Sequence, residues 1–268
     1  MIHVWWDEAA DGPANMAADE LLAAEAVRRS AVLVRLYGWA PTTVSLGAFQ
    51  RFDDAGRVAE ILGVPIVRRP SGGGAIVHGS DLTYAAAVPK THPWGAAPQL
   101  LYDALHGAMA AALGELGIAA KPWRPREDGS AEPVRSGGEE PFFCFDRRSS
   151  GDLVMLPDVP PDNGRGQKVM GSAQRRLEGV VLQHGSLLIE GNAQVTGRAR
   201  HAGIRELSGS GAFAGGQSRA LVRRWLEIVA AGLGAGLAEE PGGFFPSLAE
   251  EIGEKSTRFR AERWTRRR

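Results

Sequence analysis

Two long stretches repeat their apolar residues at helical spacing. From Asn15 to Arg28, Met16, Leu21, Leu22 and Ala26 share a face, with Asn15 as the N-cap candidate. From Ala97 to Leu116 the stripe is Leu100, Leu101, Leu105, Met109, Leu113 and Leu116, closed by Gly117. Shorter β-branched runs read as strands: Val32–Tyr37, Thr43–Gly47, Val64–Val67, Leu82–Val88 stopped by Pro89, Leu153–Leu156 and Lys168–Ala173. Val180–Ile189 reads as a strand or a strand pair. Asp54–Leu62 reads as a short helix ended by Gly63, residues 218–234 as a further helix, and Phe259–Trp264 as a last short element. Strands and helices mix without regular βαβ alternation and without internal repeats, so the pattern predicts an α+β fold.

Between two of the strand runs stands Arg68-Arg69-Pro70-Ser71-Gly72-Gly73-Gly74-Ala75-Ile76-Val77-His78. It reads as a strand, a tight glycine turn and a second strand, with two arginines at the mouth. Three glycines without Cβ atoms let the backbone take φ > 0 and let a ligand come close to the amides. An ordinary hairpin is the plain alternative. A Walker loop is excluded, because no Gly-Lys-Ser/Thr follows and no helix opens there. Residues 121–141 are rich in Pro, Gly and charge and read as an exposed loop, and Pro157–Gly166 as a long hairpin tip. Between them Phe142-Phe143-Cys144-Phe145 is apolar and expected to be anchored.

Composition narrows the picture. A chain of 268 residues with 44% apolar positions can bury one large core, alone or with a small appendage. Lys+Arg and Asp+Glu balance at 31 each, so no global field recruits nucleic acid or an anionic membrane. The local exception is a basic tail, Arg258, Arg260, Arg263, Arg266, Arg267 and Arg268, expected to be solvated or to attract an acidic partner. Cys144 is the one cysteine, which rules out an internal disulfide and a cysteine metal cage and suits a reducing, cytoplasmic setting. No apolar run is long enough to span a bilayer, and Asp7 and Glu8 argue against a signal peptide.

Five segments in order carry a resemblance: Asn15-Met16-Ala17-Ala18-Asp19-Glu20; Arg35-Leu36-Tyr37-Gly38-Trp39 through Val44-Ser45-Leu46-Gly47; the glycine stretch; Lys168-Val169-Met170-Gly171-Ser172-Ala173-Gln174-Arg175; and Leu182-Gln183-His184-Gly185-Ser186. Together they resemble the biotin/lipoate protein ligase superfamily, in its lipoate ligase and octanoyltransferase branch. The resemblance implies a central, mostly antiparallel sheet flanked by helices, as in biotin protein ligases and class II synthetase cores. It implies one catalytic domain over residues 1–268, with a helical extension at about 217–268. ATP-dependent lipoate ligases follow the glycine loop with His-Asp and then Gly-Asn. This chain has His78-Gly79-Ser80-Asp81-Leu82-Thr83-Tyr84, and Cys144-Phe145 stands 24 residues before Lys168, as in the cysteine-dependent octanoyltransferases.

That branch implies transfer of an octanoyl group from acyl carrier protein, through an acyl-cysteine, to a lysine of a lipoyl domain. The implied acceptor is a glycine cleavage H protein or a dehydrogenase E2 subunit. No cofactor or metal is implied. ATP and magnesium would enter only if the chain were a lipoate ligase, one alternative; transfer between two lipoyl domains is another, and a non-catalytic binding module a third. Cysteine suits the task, since its thiolate exchanges one thioester for another. A free thiol titrates near ~8.5, so a positive neighbour is needed to hold it as thiolate at neutral pH. The resemblance implies Cys144 and Lys168 as the catalytic pair, with Lys168 also the base for the incoming amine. Arg69, Ser71, Gly72, Gly73, Gly74, His78, Gly171, Ser172, Ala173 and His184 are the expected substrate-binding positions. Backbone amides near Gly72–Gly74 or Gly171-Ser172 are the oxyanion candidates. Ser71 is expected as a turn residue with no Ser-His-Asp set near it, and Trp39, Phe49 and Tyr84 as core. The 121–141 loop and the 157–166 tip are candidates for shaping the entrance or meeting the partner protein.

Overall fold

The computed structural model describes residues 1–124, 141–155, 166–209 and 217–268. Its strands are Ile2–Trp6 (β1), Val32–Tyr37 (β2), Thr43–Leu46 (β3), Ile66–Arg68 (β4), Ile76–His78 (β5), Asp81–Pro89 (β6), Ala120–Pro122 (β7), Leu153–Met155 (β8), Gln167–Leu177 (β9), Val180–Leu188 (β10) and Leu237–Glu239 (β11). Its helices are Gly12–Arg29 (α1), Phe52–Ala55 (α2), Pro93–Ala96 (α3), Pro98–Glu115 (α4), Ile204–Leu207 (α5), Gln217–Gly232 (α6), Phe244–Ser247 (α7), Ala249–Arg260 (α8) and Glu262–Thr265 (α9).

Eight strands form one sheet in the order β11-β1-β2-β6-β10-β9-β8-β7, and β4-β3-β5 form a second. The large sheet is antiparallel from β2 to β7, while β1 runs parallel to both β2 and β11. Both of its faces are covered, so the central strands β2 and β10 are buried along their whole length instead of alternating between buried and exposed residues. In β2, Val32, Val34 and Leu36 enter the core under α4 and α6, while Leu33 and Tyr37 enter the core under α1 and α8. This is the α+β class that the pattern predicts.

The details differ in instructive ways. The first helix is capped by Asp11, whose side chain accepts from the Ala14 amide, with Pro13 in the first turn. Asn15 is buried instead, and its amide donates to the carbonyls of Ala10 and Gly38. Alanines 14, 17, 18, 23 and 26 let α1 lie close on the sheet. On α4 the buried face is turned from the expected stripe: Tyr102 and His106 are buried, while Leu100 and Leu116 at its ends are exposed. The 54–62 region is α2 followed by a 3-10 turn at Ala59–Ile61. The 180–189 run is one strand, hairpinned to a β9 longer than expected. The start of the 121–141 loop is the edge strand β7, and 125–140 lie outside the described residues, as do 157–165 of the expected hairpin tip and 156 at the end of the strand before it.

Residues from 217 onward lie against the main sheet and its helices. β11 extends the sheet, α6 packs on α4, and α8 packs on α1. The last short element is the end of α8 followed by α9. The basic tail is mostly solvent-exposed, as expected, but it is also tethered: Arg258 pairs with Glu20, Arg260 with Asp11, and the Arg267 guanidinium lies 3.7 Å from the Trp264 ring centre. Phe49, expected in the core, is 72% exposed beside Arg268.

Candidate active site

The glycine stretch is not a hairpin. β4 and β5 do not pair with each other; they flank β3, one parallel and one antiparallel. The chain between them must therefore cross over β3, and the glycines make that crossing possible. A Cβ on Gly47 would lie 2.0 Å from the Gly73 oxygen, so the loop rests directly on the end of β3. A Cβ on Gly74 would lie 2.7 Å from the Cys144 nitrogen. Through this close approach Ala75 exchanges backbone hydrogen bonds with the 142–144 segment, at 2.9 Å to the Phe142 oxygen and 2.8 Å from the Cys144 amide. Phe143 is buried with Val44, Leu46, Ala75 and Val77, anchoring the turn that presents Cys144.

The arginines do not stand at an open mouth. Arg68 is fully buried and donates to the carbonyls of Gly47, Gln50 and Thr265. Arg69 donates to the carbonyls of Ser45, Gly72 and Gly74 at 2.7–2.9 Å, and burial lowers its guanidinium to about 10. Both hold the loop in shape.

Lys168, the second residue of β9, reaches Cys144. Its Nζ is 3.5 Å from Cys144 Sγ, 3.3 Å from the Cys144 carbonyl and 2.8 Å from Asp152 Oδ2. The side chain folds back over Gly171: a Cβ there would lie 2.4 Å from Lys168 Cε. Burial works against its charge, but the Cys144 sulfur and the Asp152 carboxylate outweigh it and hold the ammonium above the ordinary lysine range. Asp152 is itself fixed by Tyr102 Oη at 2.6 Å and the Ser149 amide at 2.6 Å.

A pocket opens beside the sulfur. Its lining includes Met16, Tyr37, Trp39 and Ile76, and of the expected residues Cys144, Arg69, Gly73, His78, Gly171, Ser172, Ala173 and His184. Ser71, Gly72, Gly74 and Lys168 stand behind the lining. Trp39 is both buried and part of the wall, stacked on His78 at 3.9 Å; Tyr84 is core.

The polar side chains of this wall are already paired with one another. Asp81 Oδ2 accepts from His78 Nδ1 at 2.8 Å, Thr83 at 2.9 Å and Ser186 at 2.7 Å. His78 Nε2 is therefore the acceptor for the Ser45 hydroxyl, 2.8 Å away. Burial opposes the Asp81 charge, yet these donors hold its carboxyl below the usual carboxylate range. On the far side Ser71 hydrogen-bonds His184, whose Nδ1 lies 3.3 Å from Asp19 Oδ2. So a Ser-His-Asp chain does include Ser71, against the sequence expectation, although its hydroxyl is buried outside the lining. Beneath Ser172, His106 Nδ1 donates to the Gly151 carbonyl at 2.8 Å, which leaves Nε2 to accept from Ser172 at 2.7 Å. The Tyr84 hydroxyl then donates to Ser172, 2.7 Å away, and receives a hydrogen bond from Gln183. Burial lowers His106 to about 4 and raises Tyr84 to about 12, so both are neutral. The free surface of the cavity is thus mainly carbon, suited to an apolar chain with its reactive end at the sulfur.

Asp152, Tyr102 and His106 were missed by sequence reasoning. Tyr102 and His106 are four residues apart on α4, and their spacing fits a shared face, but nothing local links them to Asp152. Among the described residues no group of three or more His, Cys, Asp and Glu could hold a metal ion, and no helix is long and apolar enough to cross a membrane.

Residues 11–208 match the model of the lipoyl protein ligase A/B catalytic domain. The octanoyltransferase LipM of Kyrpidia tusciae is 30% identical, over 94% of this chain and 94% of that protein. Those of Bacillus subtilis and Staphylococcus aureus are 33% and 36% identical over 66% and 65% of this chain, and the matches span 61% and 60% of their own lengths. Among solved structures, Ta0514 of T. acidophilum with bound lipoic acid superposes with a TM-score of 0.66 at 19% identity, covering 98% of both chains. A lipoate-protein ligase A bound with ATP gives 0.67 at 18% identity, again over 98% of both. These two likenesses establish the fold.

Proposed function

The chain belongs to the lipoyl protein ligase A/B catalytic domain family, and we propose that within it the protein is an octanoyltransferase working through an acyl-cysteine on Cys144. The observation that carries this reading is the Lys168 ammonium 3.5 Å from the one cysteine, at the end of an apolar cavity. The octanoyltransferases named above support the acyl group and the reaction class.

In the first half-reaction the Cys144 thiolate attacks the carbonyl carbon of an octanoyl thioester on acyl carrier protein. The bond to Cys144 Sγ forms, the bond to the carrier sulfur breaks, and Lys168 gives its proton to the departing thiolate. Lys168 is then neutral, and the sulfur that favoured its charge is now an uncharged thioester. In the second half-reaction a lipoyl-domain lysine amine attacks the same carbon. Its proton passes to Lys168, the amide bond forms, and Cys144 leaves as thiolate, which restores the ion pair. Lys168 therefore acts as an acid before it acts as a base. This order follows from its elevated proton affinity beside the sulfur.

The acceptor is a lipoyl domain such as a glycine cleavage H protein or a dehydrogenase E2 subunit, and neither ATP nor a metal takes part. Residues 1–268 act as one catalytic domain, and the reduced state of its cysteine suits the cytoplasm. The test is intact mass after mixing the protein with octanoyl carrier protein without ATP, beside a Cys144→Ser control. An octanoyl adduct that hydroxylamine removes and the control lacks supports the route. Transfer that requires ATP and free acid would make the protein a ligase, and an adduct formed only from an acylated lipoyl domain would make it an amidotransferase.

A further inference from the structure

We propose that Asp152 is the positioning residue of the site: it fixes the Lys168 ammonium over Cys144 and is the anion that lets this buried cation exist. This deepens the transfer reading above and rests on it for its kinetic arm alone.

Lys168 is 6% exposed and Asp152 1%, so neither charge is held by water. A buried ammonium without an anion gives up its proton. The groups that face Lys168 are few. The turn at Cys144–Asp146 offers the Cys144 sulfur and the Phe145 ring, whose centre is 5.6 Å from Nζ. The turn before β8 offers Asp152, and α4 offers Tyr102 and His106, with Asp103 farther out. His106 is neutral, and Asp146 lies beside His201. Arg69 faces the sulfur from the glycine-loop side, and Arg147 lies beside Gly74. Cys144 and Asp152 are thus the two anions that hold the ammonium, and the first is lost whenever the sulfur is acylated.

Asp152 is built to stay where it is. Oδ1 accepts from the Tyr102 hydroxyl, and Oδ2 accepts from the Ser149 amide and from Lys168. The preceding residue, Gly151, has φ +94°, and its carbonyl accepts from His106 Nδ1. The rings of Tyr102 and His106 stack at 4.1 Å, so one face of α4 clamps both residues of the turn. With Asp152 replaced by a neutral amide, the Lys168 ammonium loses its fixed anion and gives up its proton more readily. The nucleophile weakens, while a neutral amine, which the second half-reaction needs, remains available.

The experiment is iodoacetamide alkylation against pH, read by intact mass. Cys144 is the one cysteine in the chain, so the readout needs neither substrate nor labelling control. In Asp152→Asn the pH of half-maximal alkylation is expected to rise by ~1 unit or more. Octanoyl-enzyme formation from a thioester at pH 7 should fall about tenfold or more, while breakdown of enzyme loaded at alkaline pH stays within about threefold of wild type. An unchanged alkylation profile, or equal slowing of both half-reactions at an unchanged pH midpoint, overturns the proposal. If Asp152→Asn does not fold, Lys168→Met is compared with Lys168→Met/Asp152→Asn. Removing both members of a buried pair is better tolerated than removing one. The two profiles should coincide if Asp152 acts through Lys168, and a difference of about one unit between them overturns it. Failure of octanoyl transfer with the alkylation shift intact would count against the transfer reading and leave the role of Asp152 standing.

Discussion

Apart from the buried Ser71–His184–Asp19 chain, two sets of three residues at the cavity have the outline of a catalytic triad, and they do different things. Ser45, His78 and Asp81 are joined by bonds of 2.8 Å and 2.8 Å. Cys144, Lys168 and Asp152 are joined at 3.5 Å and 2.8 Å. By distance alone the serine set is the better triad. But Asp81 also takes Thr83, Ser186 and the Gly79 amide, and Ser45 receives Arg69 at 3.1 Å, so that set is closed within the wall. The cysteine set ends on a polarizable sulfur at the cavity surface with a buried cation against it. What makes a nucleophile here is charge left facing the cavity, not the spacing of three side chains.

The largest expected effect tests the cysteine half of this contrast. Cys144→Ser keeps the size of the side chain and removes the thiolate, and transfer from a thioester donor should fall at least ~10³-fold with no acyl adduct. An adduct surviving in that variant, mapped by peptide mass to Ser45, would reverse the roles of the two sets. Next is Gly171→Ala. The added methyl group would lie 2.4 Å from Lys168 Cε and 2.6 Å from Nζ, at the flexible end of a side chain, so the fold can accept it by moving the lysine. Transfer should drop on the order of 10²-fold with the melting temperature nearly unchanged. Activity within threefold of wild type would mean that the position of Lys168 over the sulfur is not needed.

Much of this was legible in the chain, for local reasons. The α+β class follows from runs whose periodicity is local, and Cys144 and Lys168 stand in segments whose order is itself informative. What sequence reasoning could not reach depends on a third element. β4 and β5 read as a hairpin because nothing near them reports that β3 lies between. Arg68 reads as part of a charged mouth because its carbonyl partners come from the 47–50 turn and residue 265, and Arg69 because its loop folds its own carbonyls back over the guanidinium beside β3. The Asp152 clamp needs α4 and β9 brought together across the sheet. Phe49 was read as core from its type, yet it lies on the surface beside the glycine loop. The basic tail reads as solvated and is mostly exposed, but the contacts that tether it, with Asp11, Glu20 and Trp264, come from the cap of α1, α1 itself and α9.

His106 ties stability to pH in the region beneath Ser172. His106 is buried and its folded value is lowered from 6.5 to about 4, chiefly by desolvation. The unfolded chain therefore binds a proton at this site before the folded one does. Its contribution is fully present above about pH 6.5 and is lost as pH falls towards 4, a cost of roughly 3 kcal/mol. Denaturant unfolding at intervals across that range should show this loss, and His106→Gln, less stable at neutral pH, should lose less on acidification. Equal pH slopes for the two proteins would mean that His106 is already protonated in the folded state, and the polarity assigned to the Tyr84–Ser172–His106 chain would fall with it.

The smallest expected effect is the sharpest check on the comparison. Ser45→Ala removes a hydroxyl that donates to His78 and accepts from Arg69, with both partners left buried. Arg69 Nη1 keeps the carbonyl of residue 45 at 2.9 Å, but His78 Nε2 loses its donor. A buried acceptor left unpaired costs about 1–3 kcal/mol, so the melting temperature should fall by several degrees. Transfer per folded molecule should stay within about threefold, because Ser45 carries no charge towards the substrate. Stability and activity thus move apart in opposite senses for the two sets: Gly171→Ala costs activity without stability, and Ser45→Ala costs stability without activity. A Ser45→Ala enzyme that melts like wild type but transfers tenfold more slowly would show that the serine set takes part in the chemistry after all, through the oxyanion or the incoming amine.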